Sequence, residues 1–155
     1  MRLNLIWGFL SVAISCCFLL LSTVLAAEDK VTAREGTFVA YDNGVVKDTK
    51  TGLEWFVGPD RDTTWDEAST WVRKLSVDGG GWRMPTKEEL ETLYQMGAGT
   101  RNMNPLLKTT GWVVWSGDTK DSSAAWLFLF VEGYGNWSIL NSSHYLRGFA
   151  VRSRK

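Results

Sequence analysis

The chain has 155 residues, with 17 Lys and Arg balanced by 17 Asp and Glu, one His, two Cys and nine Trp. That length holds one domain with one hydrophobic core, and zero formal charge with a pI near 6.6 argues against nucleic-acid binding, which goes with a basic excess. Cys16 and Cys17 both lie in the apolar N-terminal stretch. The rest of the chain therefore offers no disulfide, thiolate nucleophile or cysteine metal site. With His144 as the single histidine, a His-rich metal site or a Ser-His-Asp triad is disfavoured too, and no cofactor is implied.

Residues 1–27 open with Arg2, continue as a long apolar run and close on Val24-Leu25-Ala26-Ala27, after which charges begin at Glu28-Asp29-Lys30. This is the pattern of a signal peptide with a small-residue cleavage site. The run from residue 3 to 27 is also long enough to remain as an uncleaved anchor. Cys16 after Ile14-Ser15 faintly resembles a lipoprotein box, although apolar sequence follows it. In each case residues 28–155, read as a single domain, leave the cytoplasm. The expected location is periplasmic or extracellular, with membrane contact only if the N-terminal segment stays attached.

In the exported part, Phe38-Val39-Ala40-Tyr41 and Val45-Val46 read as short strands around the Asp42-Asn43-Gly44 turn, Asn-Gly being a strong turn signal. Asp48 to Gly52 forms a second turn, with Asp48 as its Asx-type former, and leads into the alternating Leu53-Glu54-Trp55. Thr64-Trp65-Asp66-Glu67 is a capping box that starts a helix; Trp65, Ala68, Val72 and Leu75 follow at helical spacing on one face. Gly79-Gly80-Gly81 ends it. Thr86-Lys87-Glu88-Glu89 is a second capping box after Pro85, with Leu90, Leu93 and Tyr94 as the apolar stripe and Gly97 as the expected stop. Residues 99–110 are polar and read as irregular. Strands are expected at 112–116, 125–131 and 149–152, with a Gly-rich turn region between the last two. Two helices between an N-terminal hairpin and C-terminal strands make the fold class α+β with antiparallel strands.

The motifs Val46-x-Asp48-x-x-Thr51-Gly52-Leu53-x-Trp55, Thr64-Trp65-x-x-Ala68, Gly81-Trp82-Arg83-Met84-Pro85-Thr86-x-x-Glu89-Leu90, Trp115-Ser116 and Val151-Arg152 resemble the Lcl C-terminal domain family, over about residues 36–152. Gly-Trp-Arg-x-Pro-Thr at a helix start is the most specific of them. The resemblance implies an exported bacterial domain with a C-type lectin-like fold, in which the first and last strands pair and a long loop region projects from one side. It also implies a ligand-presenting module, in some members an adhesin for sulfated polysaccharides. Two departures narrow what carries over. No cysteine stands near the final Val-Arg, where Ala150 and Ser153 occur, and the calcium-lectin signatures Glu-Pro-Asn and Trp-Asn-Asp are absent. Formylglycine-generating enzymes share the wider fold but need reactive cysteines.

Eight of the nine tryptophans follow residue 27, and aromatic faces stack on sugar rings. Trp55, Trp82, Trp115 and Trp126 are assigned to the core, and Trp71 to a partly exposed position. Trp137, in Gly133-Tyr134-Gly135-Asn136-Trp137, reads as a loop residue. With His144, Tyr145 and Arg147 it makes the expected ligand surface, since functional residues concentrate on loops carried by a rigid scaffold. Arg83 is read as a structural donor near the second helix. Asp60-Arg61-Asp62 reads as a solvated loop, lacking the further oxygen ligands a divalent cation needs; Asp118 and Asp121 are treated alike. The expected function is non-enzymatic binding of a polysaccharide or surface glycan, with no metal and no catalytic residues. Recognition of another surface protein in the bacterial envelope is the alternative. A carboxylate-based glycan hydrolase would have to pair two of Asp118, Asp121 and Glu132 across a cleft, and nothing in the sequence pairs them. The Asn136-Trp137-Ser138 and Asn141-Ser142-Ser143 glycosylation patterns carry no meaning in a bacterial chain.

Overall fold

Short alternating segments around tight turns make the first part of the chain a meander. In the computed structural model, which describes residues 29–153, it consists of β1 (Val31–Glu35), β2 (Phe38–Tyr41), β3 (Val46–Asp48) and β4 (Leu53–Val57). The expected signal segment lies outside the described residues. Asn43 closes the first predicted turn by accepting the Val45 amide at 2.9 Å, with Gly44 at φ +88°. Asp48 closes the second: its carboxylate accepts the Lys50 amide at 3.0 Å and the Thr51 hydroxyl at 2.7 Å. Burial pushes the Asp48 carboxyl up, but the hydroxyls of Thr37 and Thr51 and the Lys50 and Thr51 amides outweigh it and hold the group below its usual value.

Both capping boxes are formed as the sequence predicts. Thr64 accepts the Glu67 amide and Glu67 returns to the Thr64 amide at the start of α1 (Trp65–Lys74). Thr86 and Glu89 do the same for α2 (Lys87–Thr92). The second helix stops earlier than the Gly97 signal suggested. Asn102 takes the amides that further turns would have used, its backbone carbonyl accepting from Gln95 at 2.7 Å and its side chain from Gly97 at 2.9 Å.

The rest of the chain supplies β5 (Val113–Thr119), β6 (Ala124–Leu129), β7 (Tyr134–Ile139), β8 (Leu146–Arg147) and β9 (Phe149–Ser153). One sheet has the order β1-β2-β3-β4-β9 and the other β7-β6-β5-β8. Two features differ from expectation. The last strand pairs with β4 rather than with the first, in the register Trp55 opposite Val151, which leaves β1 at the sheet edge. The β5–β8 pair is parallel, where every other strand pair is antiparallel.

The main core lies between the two sheets: Trp55, Phe149 and Val151 from one meet Val114, Trp126, Phe128 and Phe130 from the other, with Leu90 and Leu93 of α2. Helix α1 spans the far faces of both. Its Val72 packs with Val45, Trp82 and Ala150, and its Ala68 with Trp115 and Ala125. The four tryptophans assigned to the core are 0 to 8% exposed. Two indole nitrogens also act as staples: Trp65 Nε1 donates to the Ser116 carbonyl and Trp115 Nε1 to the Thr63 carbonyl, each at 2.9 Å, joining α1 to β5 twice.

The predicted Val151-Arg152 end is a buried charge cluster. Arg152 pairs with Glu54 at 2.7 Å and with Asp78, donates to the Gly80 carbonyl at 2.7 Å, and lies 4.2 Å over the Trp82 ring. This fixes β9 against the Gly79-Gly80-Gly81 turn. No helix among the described residues is long and apolar enough to cross a membrane.

Candidate ligand-binding site

The β7 and β8 strands occupy opposite edges of the four-stranded sheet, so the four sequence-selected residues are not brought together. Trp137 lies on β7 instead of in a loop, directly opposite Trp126 and 41% exposed. The Gly-rich composition misled here for a packing reason. A Cβ on Gly135 would overlap the Trp126 indole, so glycine in this strand makes room for the core tryptophan instead of marking a turn.

His144, Tyr145 and Arg147 do converge, near β8, but in different roles. Arg147 is 5% exposed and is therefore not a surface contact as expected. Its Nε donates to Asp60 at 2.9 Å, its Nη1 to Asp62 at 2.9 Å and its Nη2 to the Thr110 hydroxyl at 3.2 Å. The Asp60-Arg61-Asp62 loop, read as solvated, supplies the two countercharges that a buried guanidinium requires. Asp60 also accepts the Thr110 amide at 2.9 Å and the Thr109 hydroxyl at 3.1 Å. Partial burial pushes the Asp60 carboxyl up, yet the Arg147 guanidinium and these donors hold it well below the usual carboxylate range. Gly111 completes the knot, since a Cβ there would overlap the Arg147 side chain.

On this base sits a row of rings. Tyr145 has φ +58°, a left-handed conformation that costs a bulky residue of order 1 kcal/mol; its amide is held by Asp62 at 3.1 Å. Its ring lies 4.6 Å from that of Trp112 on one side and 4.0 Å from that of His144 on the other. Arg101 extends the row, its guanidinium carbon 5.6 Å from the Trp112 centroid. Tyr145 is 42% exposed, and the His144 side chain 81%, with its Nδ1 3.8 Å from Asp62.

Beside the row is a cleft of about 410 Å³ whose lining includes Arg101, Lys108, Thr100 and Thr109. Among the described residues neither Arg101 nor Lys108 has a carboxylate partner, and Arg101 Nε is buried without a hydrogen bond. Sequence reasoning missed Trp112, Arg101 and Lys108. The available signal was two cations and several hydroxyls in the polar 99–110 segment, next to an aromatic that begins a strand.

Two of the three carboxylates considered for hydrolysis, Asp118 and Asp121, have hydrogen-bond partners. Asp118 accepts the Lys87 amide at 2.7 Å and the Ser116 hydroxyl at 2.6 Å, and Asp121 the Ser123 amide at 2.7 Å. Arg83 holds Glu89 through both of its terminal nitrogens at 2.5 and 2.7 Å, the structural role expected of it. Among the described residues no group of three or more His, Asp or Glu is placed to hold a metal ion.

The model of the Lcl C-terminal domain matches residues 44–152. The chain belongs to the Lcl C-terminal domain family. The match takes in every element from β3 to β9, and with them the whole Arg101–His144 row of this Lcl C-terminal domain and its Arg147 base. No curated protein and no solved structure matches the chain.

Proposed function

We propose that this is an exported, non-enzymatic, adhesin-like binding domain that takes an acidic polysaccharide along the Arg101–Trp112–Tyr145–His144 row. The observation that carries the reading is the row itself: a cation and three rings in sequence, beside a cleft that Arg101 shares with Lys108, a second cation without a carboxylate partner among the described residues, while the Asp60 carboxylate in the same lining is taken up by Arg147. Rings cover the C–H faces of sugars, and unpaired guanidinium and ammonium groups attract sulfate or carboxylate substituents. The buried Arg147 knot holds the row in place before binding, which lowers the ordering cost of association. The reading agrees with the C-type lectin-like resemblance, in which loops on a rigid scaffold present the ligand surface. Export through residues 1–27 belongs to the same proposal.

Isothermal titration with heparin, and with neutral dextran as the control, tests it. Wild type is expected to bind heparin with an affinity that falls as salt rises, and Arg101→Ala to weaken it by about tenfold, the equivalent of one charge-assisted contact of about 1.4 kcal/mol. Equal affinity of wild type and Arg101→Ala for heparin, or equal binding of dextran, rejects the proposal.

One observation favours the second reading, a protein-interaction module of the envelope. The edge strand β7 exposes Tyr134, Trp137 and Ile139 at 54, 41 and 60%, and a partner protein would engage such an edge.

A further inference from the structure

The chain leaves β7 at one edge of the second sheet and enters β8 at the other, so residues 140–145 must cross the sheet face, a span of roughly 14 Å for three strand spacings. Helix α1 covers the Trp115 and Ala125 part of that face; the crossing segment passes over the rest. Both of its ends are fixed. Leu140 donates to the Ser123 carbonyl and accepts from Trp65, each at 3.1 Å, while the Leu146 amide closes onto the Ser143 carbonyl at 2.9 Å and the Tyr145 amide onto Asp62. Between strap and sheet lies a pocket of about 320 Å³, with a floor of Val113, Leu127, Leu129 and Leu146 and a rim of Ser138, Ser142, Ser143 and His144.

Resting on the glycan reading above, we propose that this strap pocket takes the acylamino group of an N-acetylated sugar, next to the ring that stacks on His144 and Tyr145. Among the described residues no Asp, Glu, Lys or Arg lines the pocket, so its ligand group is neutral. The aliphatic floor selects a methyl, because burying one CH₃ there removes it from water. The rim selects a polar amide beside it. Ser138 and Ser142 share a single hydrogen bond at 3.0 Å, and the Ser143 hydroxyl has none among the described residues, so donors and acceptors are left over for an N–H and a C=O. A bare aliphatic side chain would fill the floor but strip water from those hydroxyls without replacing it. At 320 Å³ the pocket is at the small end of ligand sites, roughly 300–1,000 Å³, which suits one sugar substituent. His144 belongs to both the pocket and the aromatic row, so one residue of the glycan spans the two.

The test is a titration of the full exported chain, with Leu and Val methyls labelled for NMR, by chitotriose and by cellotriose. Both trisaccharides are uncharged and share a backbone; they differ in the acetamido group. Chitotriose is expected to bind about tenfold more tightly, from one buried methyl and one new hydrogen bond, and to shift the methyl signals of Val113, Leu127 and Leu129. Ser138→Phe, a plug on the exposed strand β7, is expected to abolish both effects while leaving heparin affinity unchanged. Equal binding of the two sugars, or unmoved methyl signals, overturns the pocket. So does the same set of shifts produced by leucinamide, which has no acetyl group, with chitotriose silent, which would give the pocket to a peptide side chain. Heparin affinity on the same samples separates the two claims: heparin binding without an acetamido preference rejects the pocket alone. An acetamido preference without heparin binding rejects the acidic-polysaccharide reading and leaves the pocket.

Discussion

Trp55 and Trp115 are both fully buried, but Trp115 Nε1 donates to the Thr63 carbonyl while Trp55 Nε1 has no hydrogen-bond partner among the described residues. Truncating either to Phe removes similar volume. Only Trp115→Phe also leaves a carbonyl at the start of α1 without its donor, a loss of about 1–3 kcal/mol beyond the packing term. Urea denaturation should therefore find Trp115→Phe less stable than Trp55→Phe by about that margin; equal stability would mean that the staple contributes nothing. Asp60 makes a second residue-level prediction. Its folded-state pKa lies well below the ordinary 3.8, so its stabilising contribution is fully present above about pH 4 and is lost as pH falls from there toward the folded value. Asp60→Asn should lower thermal stability at pH 7, and the gap to wild type should close as pH drops from 4 to 2. A gap that stays constant across that range would show that the Arg147 pairing does not depend on the Asp60 charge.

At the scale of elements, what a short window of sequence encodes was readable and what distant pairing decides was not. The two capping boxes need only four consecutive residues each, and both formed as predicted. Thr64→Ala should cost about 1 kcal/mol, measured by chemical denaturation, with Thr64→Ser close to wild type. The buried Arg147 knot could not be read in this way, because Arg147 and Asp60 stand 87 positions apart and each looks like an ordinary surface charge in its own segment. Strand β7 reads as a loop in the sequence for a related reason: the residue that explains Gly135 is Trp126, on the neighbouring strand. The aromatic row was half visible. The loop setting of His144 and Tyr145 is visible in the sequence, while Trp112 and Arg101 reach them only through the fold.

For the whole molecule, the decisive feature is how two sheets share one core and leave their surfaces unequal. The five-stranded sheet is locked at its end by Arg152, Glu54 and Asp78. The four-stranded sheet carries the Arg147 knot, the aromatic row, the strap pocket and the exposed edge β7. The rigid parts lie beneath the candidate surface, so a ligand would meet side chains already in position. Because Trp137 and Trp112 stand on different parts of this sheet, their indole N–H signals tell the two functional readings apart. The most direct test is therefore a ¹H–¹⁵N NMR titration of residues 28–155 with a heparin oligosaccharide. The account predicts that the Trp112 indole and the Arg101 and Lys108 amides shift together while the Trp137 indole stays still. A shift of Trp137 with Trp112 unmoved would contradict it and move the binding surface to the β7 edge.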